Sequence, residues 1–220
     1  MHRARESEAE MTAAHELFLR EVDAQGRERA DGFSLGNLRH LSPEEHLQVL
    51  ATLTRLLGER EARAPIALAV LSPTPATIAL LHGALPLPWK PGVRPDDFDL
   101  EVASALGVLA GEPMALDLLE DTVVRIEDMW ARGIATEGLR RASPSSDASA
   151  RLARLIRTRP RESMLLDAAE MLMTRHGLWA YDLTHTEERL TLLRALTGDD
   201  DTAREGALRR VLSAPVKQWP

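Results

Sequence analysis

At 220 residues the chain is long enough for one large domain or two small ones, each burying its own core. It has no cysteine, which excludes disulfides, thiolate zinc sites and a catalytic thiol and fits a reducing compartment. Its net charge of −7 argues against nucleic acid as the main partner, and an aromatic content of 4% beside abundant Leu, Ala, Arg and Glu favours helices over sheets.

The opening stretch MHRARESEAEM carries no apolar signal region, and the purest apolar runs, IALAVL and TIALL, are too short to cross a bilayer. The expectation is a soluble, cytoplasmic protein with no membrane span. Arginine outnumbers lysine 25 to 2, which points to a GC-rich, bacterial genome.

Residues 3–30 are highly charged, with Leu17, Leu19 and Val22 as their main apolar side chains, and predict a partly exposed helix. In LSPEEHLQVLATLTRLLG, Ser42 is placed as N-cap, Pro43 at the first helical position and Glu45 at N3, a capping box. Leu47, Leu50, Leu53 and Leu57 then form its apolar face, and Gly58 is read as its stop. APIALAVL and TPATIALLHGAL predict two compact apolar helices, the second beginning behind Thr74 and Pro75.

LPLPWKPGVRPDD holds four prolines in thirteen residues and predicts an extended linker, since proline removes a helical hydrogen bond. Within a single all-helical domain, 1–220, it permits a subdivision into 1–84 and 97–220 joined by 85–96. Beyond it, DFDLEVASALGVLAG and PMALDLLEDTVVRIEDMWARG read as helices. In the second, Ala115, Leu118, Leu119, Thr122, Val123, Ile126, Met129 and Trp130 fall on one stripe that predicts burial. After a turn at ASPSSD, helices are expected at 147–158, 161–176, 185–197 and 201–213, the last with Ala203, Ala207, Leu208, Val211 and Leu212 on its apolar face.

Short helices and short turns describe antiparallel helix pairs, whether closed into a bundle or stacked into a solenoid. LTGDDDTAREGALRRVL (196–212) resembles the Asp-rich turn, arginine and Ala-Leu helix of HEAT-type repeats. LLGEREARAPIALAVL (56–71) is similar, with Arg63 standing where Arg204 does. The resemblance implies a stacked helical scaffold that binds proteins, with the Asp turn capping a helix, the arginine tying neighbouring repeats, and no catalytic residue.

Charge is segregated along the chain. From Asp96 to Asp128 ten acids face Arg125 alone, a balance of −9; from Arg132 to Arg161 eight arginines face Glu137 and Asp147, a balance of +6. Asp117, Glu120, Asp121 and Asp128 share one helical ridge, and Arg151, Arg154 and Arg157 share another. One reading is solvated faces or ion pairs between neighbouring helices. The other makes the acidic ridge a docking surface for a basic partner, and the arginine ridge one for an acidic protein, phosphate or headgroup. Trp89, in its proline-rich setting, is either a partner anchor or a plug in the core, and Trp219 is equally ambiguous.

No phosphate-cradling glycine loop, nucleophile elbow or zinc-protease motif is present. Asp96, Asp99, Glu120 and Asp121 would have to converge to hold a magnesium ion, and Asp96 serves equally well as an N-cap with Asp97 and Asp99 favoured by the helix dipole. HGLWAYDLTHTEERL (176–190) concentrates two histidines, a tryptophan and the sole tyrosine. Gly177 reads as a left-handed helix stop and Thr184 with Glu187 as a capping box, which leaves His176, Asp182 and His185 as the candidate metal or catalytic set.

The sequence therefore predicts an all-α protein of irregular antiparallel helical pairs. Its expected role is non-enzymatic binding of another protein, as adaptor or antagonist, for instance an immunity-type protein that neutralises a toxin through its acidic face, with no cofactor. The alternatives are a metal-dependent enzyme with a helix-lined carboxylate/histidine site and a ligand-binding regulator.

Overall fold

A computed structural model describes residues 11–26, 29, 32–85, 88–158, 162–178 and 186–217. These form eleven α-helices, one 3-10 turn and, among the described residues, no strand, so the fold is all-α. The contacts divide the chain into two compact units, residues 1–73 and 74–220.

The first unit contains α1 (Ala13–Asp23), the 3-10 turn (Asn37–His40), α2 (Pro43–Gly58) and α3 (Ala64–Leu71). The capping box forms as read: Ser42 Oγ accepts the Glu45 N–H, and Glu45 Oε2 accepts the Ser42 N–H at 2.8 Å. Val49, Leu53, Leu56 and Leu57 face the core, together with Phe18 and most of α3. Leu47 is instead exposed and Leu50 only half-buried, because the buried phase runs through Val49 and Leu56 rather than through the leucines alone. In α1 the same shift makes Phe18 the buried apolar residue, beside buried His15 and packed on Phe33 with ring centroids 5.2 Å apart, while Leu19 faces solvent.

Helix α2 ends at Gly58 as expected, but the glycine itself is not left-handed. The left-handed position falls two residues later, on Arg60 at φ +58°, where the Glu61 N–H reaches the Leu56 carbonyl at 2.9 Å. Arg63 then lies over the Phe33 ring at 4.7 Å and donates to the Glu21 carbonyl of α1 at 2.7 Å.

The second unit holds α4 (Pro75–Ala84), α5 (Asp97–Ala110), α6 (Pro113–Arg125), α7 (Met129–Arg141), α8 (Ala148–Thr158), α9 (Glu162–Arg175), α10 (Thr186–Thr197) and α11 (Asp201–Ser213). Helix α4, although it precedes the proline-rich stretch, packs on α5 beyond it. Helices α5, α6 and α7 pack on one another, α7 touches both α5 and α9, α8 packs on α6, α7 and α9, and α10 touches both α9 and α11. Leu100, Leu106, Leu116, Leu119, Leu139, Leu152, Leu172 and Leu208 lie in the core.

The predicted stripe from Ala115 to Trp130 is broken. Ala115 to Val123 and Ile126 are buried, but α6 ends at Arg125, Ile126 is extended, and Asp128 caps a new helix by accepting the Ala131 N–H at 2.8 Å. The non-helical residues reset the phase, which leaves Met129 78% and Trp130 61% exposed. In α11 the buried face is Arg204, Ala207, Leu208 and Val211, with Ala203 and Leu212 outside it.

Helix α9 ends as expected at Gly177, φ +69°, with the Gly177 N–H on the Thr174 carbonyl and the Leu178 N–H on the Met173 carbonyl. The stretch from Trp179 to His185, the Thr184 cap included, lies outside the described residues, as does Trp219. No helix among the described residues is long and apolar enough to cross a membrane.

Candidate functional site

Asp117 and Glu120, one turn apart on α6, meet Arg151 and Arg154, one turn apart on α8. Arg151 Nη1 donates to Asp117 Oδ1 at 2.6 Å and to Glu120 Oε2 at 2.8 Å, and its Nε to Asp147 Oδ1 at 2.9 Å. Arg154 grips both Glu120 oxygens, at 2.8 and 2.7 Å. Arg157 makes the same two-pronged contact with Glu205 of α11, at 2.8 and 3.1 Å. Asp117 and Glu120 of the acidic ridge are thus paired with Arg151 and Arg154, and the third arginine of that ridge, Arg157, is paired with α11. Arg151 is only 7% exposed; burial opposes its charge, but bonds from Asp147 and Asp117 outweigh that and raise its pKa.

The other acids hold loops. Asp121 accepts from the Gly92 N–H at 2.9 Å and from Arg125 Nε at 2.7 Å, tying the proline-rich segment to α6. A cavity of about 350 Å³ results, lined by Trp89, Asp117, Glu120, Asp121, Val124 and Arg125. Four of the predicted partner-binding residues therefore border one space. The Trp89 indole N–H is enclosed and meets no acceptor among the described residues.

Asp128 stands apart from that cavity. Its carboxylate lies below the usual range, first because of the Ala131 amide and then because of Arg94, whose Nε approaches at 3.4 Å. Arg94 also donates to Asp97 Oδ1 at 3.1 Å, and Asp97 Oδ2 accepts the Trp130 indole N–H at 3.0 Å. The sequence puts Asp97 in the first turn of a helix and Trp130 on a buried stripe, and it does not bring either together with Arg94. The available signal was the Glu-Asp pair before Met129, which suits an N-cap as well as a continuing helix.

His176 is buried, and both ring nitrogens are engaged: Nδ1 with the Ala214 carbonyl at 2.6 Å and Nε2 with Ser149 Oγ at 3.0 Å. Burial lowers its pKa; the Ala214 bond opposes this and Arg175 adds to it. Asp182 and His185 lie outside the described residues. Arg175, not singled out by the sequence, is 2% exposed and donates to the Arg140 (3.0 Å), Ala142 and Ser143 (2.7 Å) carbonyls and to Ser149 Oγ (2.9 Å). It closes the C-terminus of α7, where a cation complements the helix dipole. Burial, with Arg140 nearby, brings its pKa down to about 10.

Asp96 caps α5 through the Asp99 N–H at 2.8 Å, while Glu120 and Asp121 face the arginines described above. Among the described residues no group of three His, Asp or Glu side chains is placed to hold a metal ion. Glu101, between α5 and α7, is raised to about 7 by burial; Arg141 opposes the shift, and Glu137 and Asp97 add to it. A larger cavity, about 660 Å³, runs between α10 and α11 over Thr191, Leu192, Ala195, Ala203, Gly206 and Ala207. No protein-family model, curated protein or solved structure matches the chain.

Proposed function

We propose that this protein works by binding another protein, through the face of the second unit formed by residues 88–97, α6 and the start of α7. The observation that carries this reading is that Trp89, Asp117, Glu120 and Asp121 border one cavity, while Met129 and Trp130 stand exposed on the next helix. An aromatic and methionine surface rimmed by carboxylates suits recognition better than chemistry, because each carboxylate named has a cationic or backbone donor of its own.

A helical-repeat scaffold of HEAT-like kind fits this role. Its support is the succession of α5, α7 and α9, each touching the next, and Arg204, which donates to the Gly198 carbonyl at 2.6 Å and pairs with Asp201. The role of antagonist, including an immunity-type protein in a bacterial cytoplasm, remains the specific form of the proposal.

The test is tagged capture from the native host, read by mass spectrometry, with wild type beside an Asp117→Asn/Asp121→Asn variant. Wild type retains a stoichiometric partner that the variant loses. Equal retention by both, or no partner at all, overturns the reading.

A further inference from the structure

The indole of Trp130 is exposed yet fixed. Its N–H donates to Asp97 Oδ2 at 3.0 Å, Asp97 is held by Arg94, and Arg94 also reaches Asp128, the cap of the helix that carries Trp130. An exposed aromatic held in one pose loses little entropy when a partner docks. A carboxylate accepting from the indole N–H also pushes electron density into the ring, which makes its face a better seat for a cation.

Charge gives the sign of the occupant. Asp97 and Asp128 share the one guanidinium of Arg94, so two carboxylates face a single cation beside the indole. Met129, the most exposed of the large apolar side chains described, adjoins Trp130, and exposed Val93 precedes Arg94. A second acidic copy of the same face would be repelled, while a basic segment with an apolar stem is attracted.

We infer that Trp130 and Met129 anchor a segment of a partner protein that bears arginine or lysine, the cation lying over the indole face and its methylene stem against Met129. This rests on the protein-binding reading above and names the chemistry of the partner.

The probe is a short amidated peptide of alternating arginine and leucine, titrated by calorimetry at low and high salt, with a glutamate-leucine counterpart as control. Wild type binds the arginine peptide, more weakly at high salt, and does not bind the glutamate peptide. Trp130→Ala, whose melting temperature should match wild type because the ring is largely exposed, weakens binding by about tenfold or more. Trp130→Phe retains part of the affinity, and Asp97→Asn, which keeps an acceptor without the charge, falls between.

Unchanged affinity in Trp130→Ala, or equal binding of the glutamate peptide, overturns the inference. If Asp117→Asn/Asp121→Asn weakens binding and Trp130→Ala does not, the acidic-face reading stands and the anchor falls. If Trp130→Ala weakens binding and the acidic pair does not, the anchor stands and the cavity rim is not part of the surface. No binding of the arginine peptide by wild type sinks the basic partner altogether.

Discussion

The carboxylate of Glu45 accepts the backbone N–H of Thr12 at 2.7 Å, thirty-three positions away, as well as the Ser42 N–H that closes its own capping box. One side chain therefore satisfies the first turns of two helices, with the Thr12 hydroxyl as a third donor at 2.9 Å.

Those donors favour the ionised form, the Thr12 amide foremost, and lower the Glu45 pKa from 4.5 to about 2. The unfolded state then binds more protons between these values, so the stabilisation is complete above pH 4.5 and disappears as pH falls through about 2. Glu45→Gln should melt below wild type at neutral pH. In circular-dichroism melts the gap should narrow from pH 4.5 downward and close near pH 2; a gap independent of pH would show that the charge is irrelevant.

Gly138 lets α7 approach α5. A Cβ there would clash with Ser104 Oγ and come within 3.0 Å of Leu119 Cδ1, in a fully packed region. Gly138→Ala should cost about 1–3 kcal/mol, the usual range for overpacking. Ser104 Oγ is buried with no partner among the described residues, so Ser104→Ala should be neutral or mildly stabilising. The double variant should recover part of the Gly138→Ala loss, since Ser104 Cβ still lies 3.2 Å from the added atom. Urea midpoints at constant m-value decide this.

The helix ends that a side chain announces were legible: Ser42, Thr74 and Asp96 cap where the sequence put them, and Gly177 stops α9. Arg60 was not, because a left-handed arginine has no local signature and Gly58 offered the expected one two residues early. Trp130 was misread for a similar reason. Apolar residues continue at helical spacing across the 126–128 break, and only the competition between Asp128 as cap and Asp128 as helix interior decides the phase. The arginine ridge and the acids Asp117, Glu120 and Asp121 were legible, whereas Asp128 falls past the same break, and the pairing of the ridges depends on α6 lying beside α8, which periodicity does not encode. Arg175 was invisible because its partners are mostly backbone carbonyls, which any residue can supply.

The residue after Arg175 gives a second pH dependence. His176 joins α9 to the backbone of Ala214, and burial holds its pKa below 6.5. The charged form is disfavoured in the fold, so the unfolded state binds more protons and stability declines as pH drops below 6.5 toward the folded value. Hydrogen exchange of the Lys217 amide, which donates to the Arg175 carbonyl at 2.8 Å, should quicken over that interval after correction for intrinsic rates. His176→Asn should abolish the pH dependence; its persistence would assign the effect to another group.

The arginines of α8 separate structure from surface charge. Arg151 is nearly enclosed and serves Asp117, Glu120 and Asp147 together, whereas Arg154 is 57% exposed and serves Glu120 alone. Arg151→Met leaves Glu120, itself largely covered, with one cation fewer and should cost about 2 kcal/mol. Arg154→Met, at an exposed pair, should cost less than about 1 kcal/mol. Arg157→Met breaks only an exposed pair and should leave the urea midpoint where it is. Salt sharpens the contrast: the Arg151 effect should persist at high ionic strength because the guanidinium is shielded from counterions, while the Arg154 effect should vanish. Equal effects at both positions would mean that the ridge acts as one solvated charge layer rather than as a buried clasp between α6 and α8.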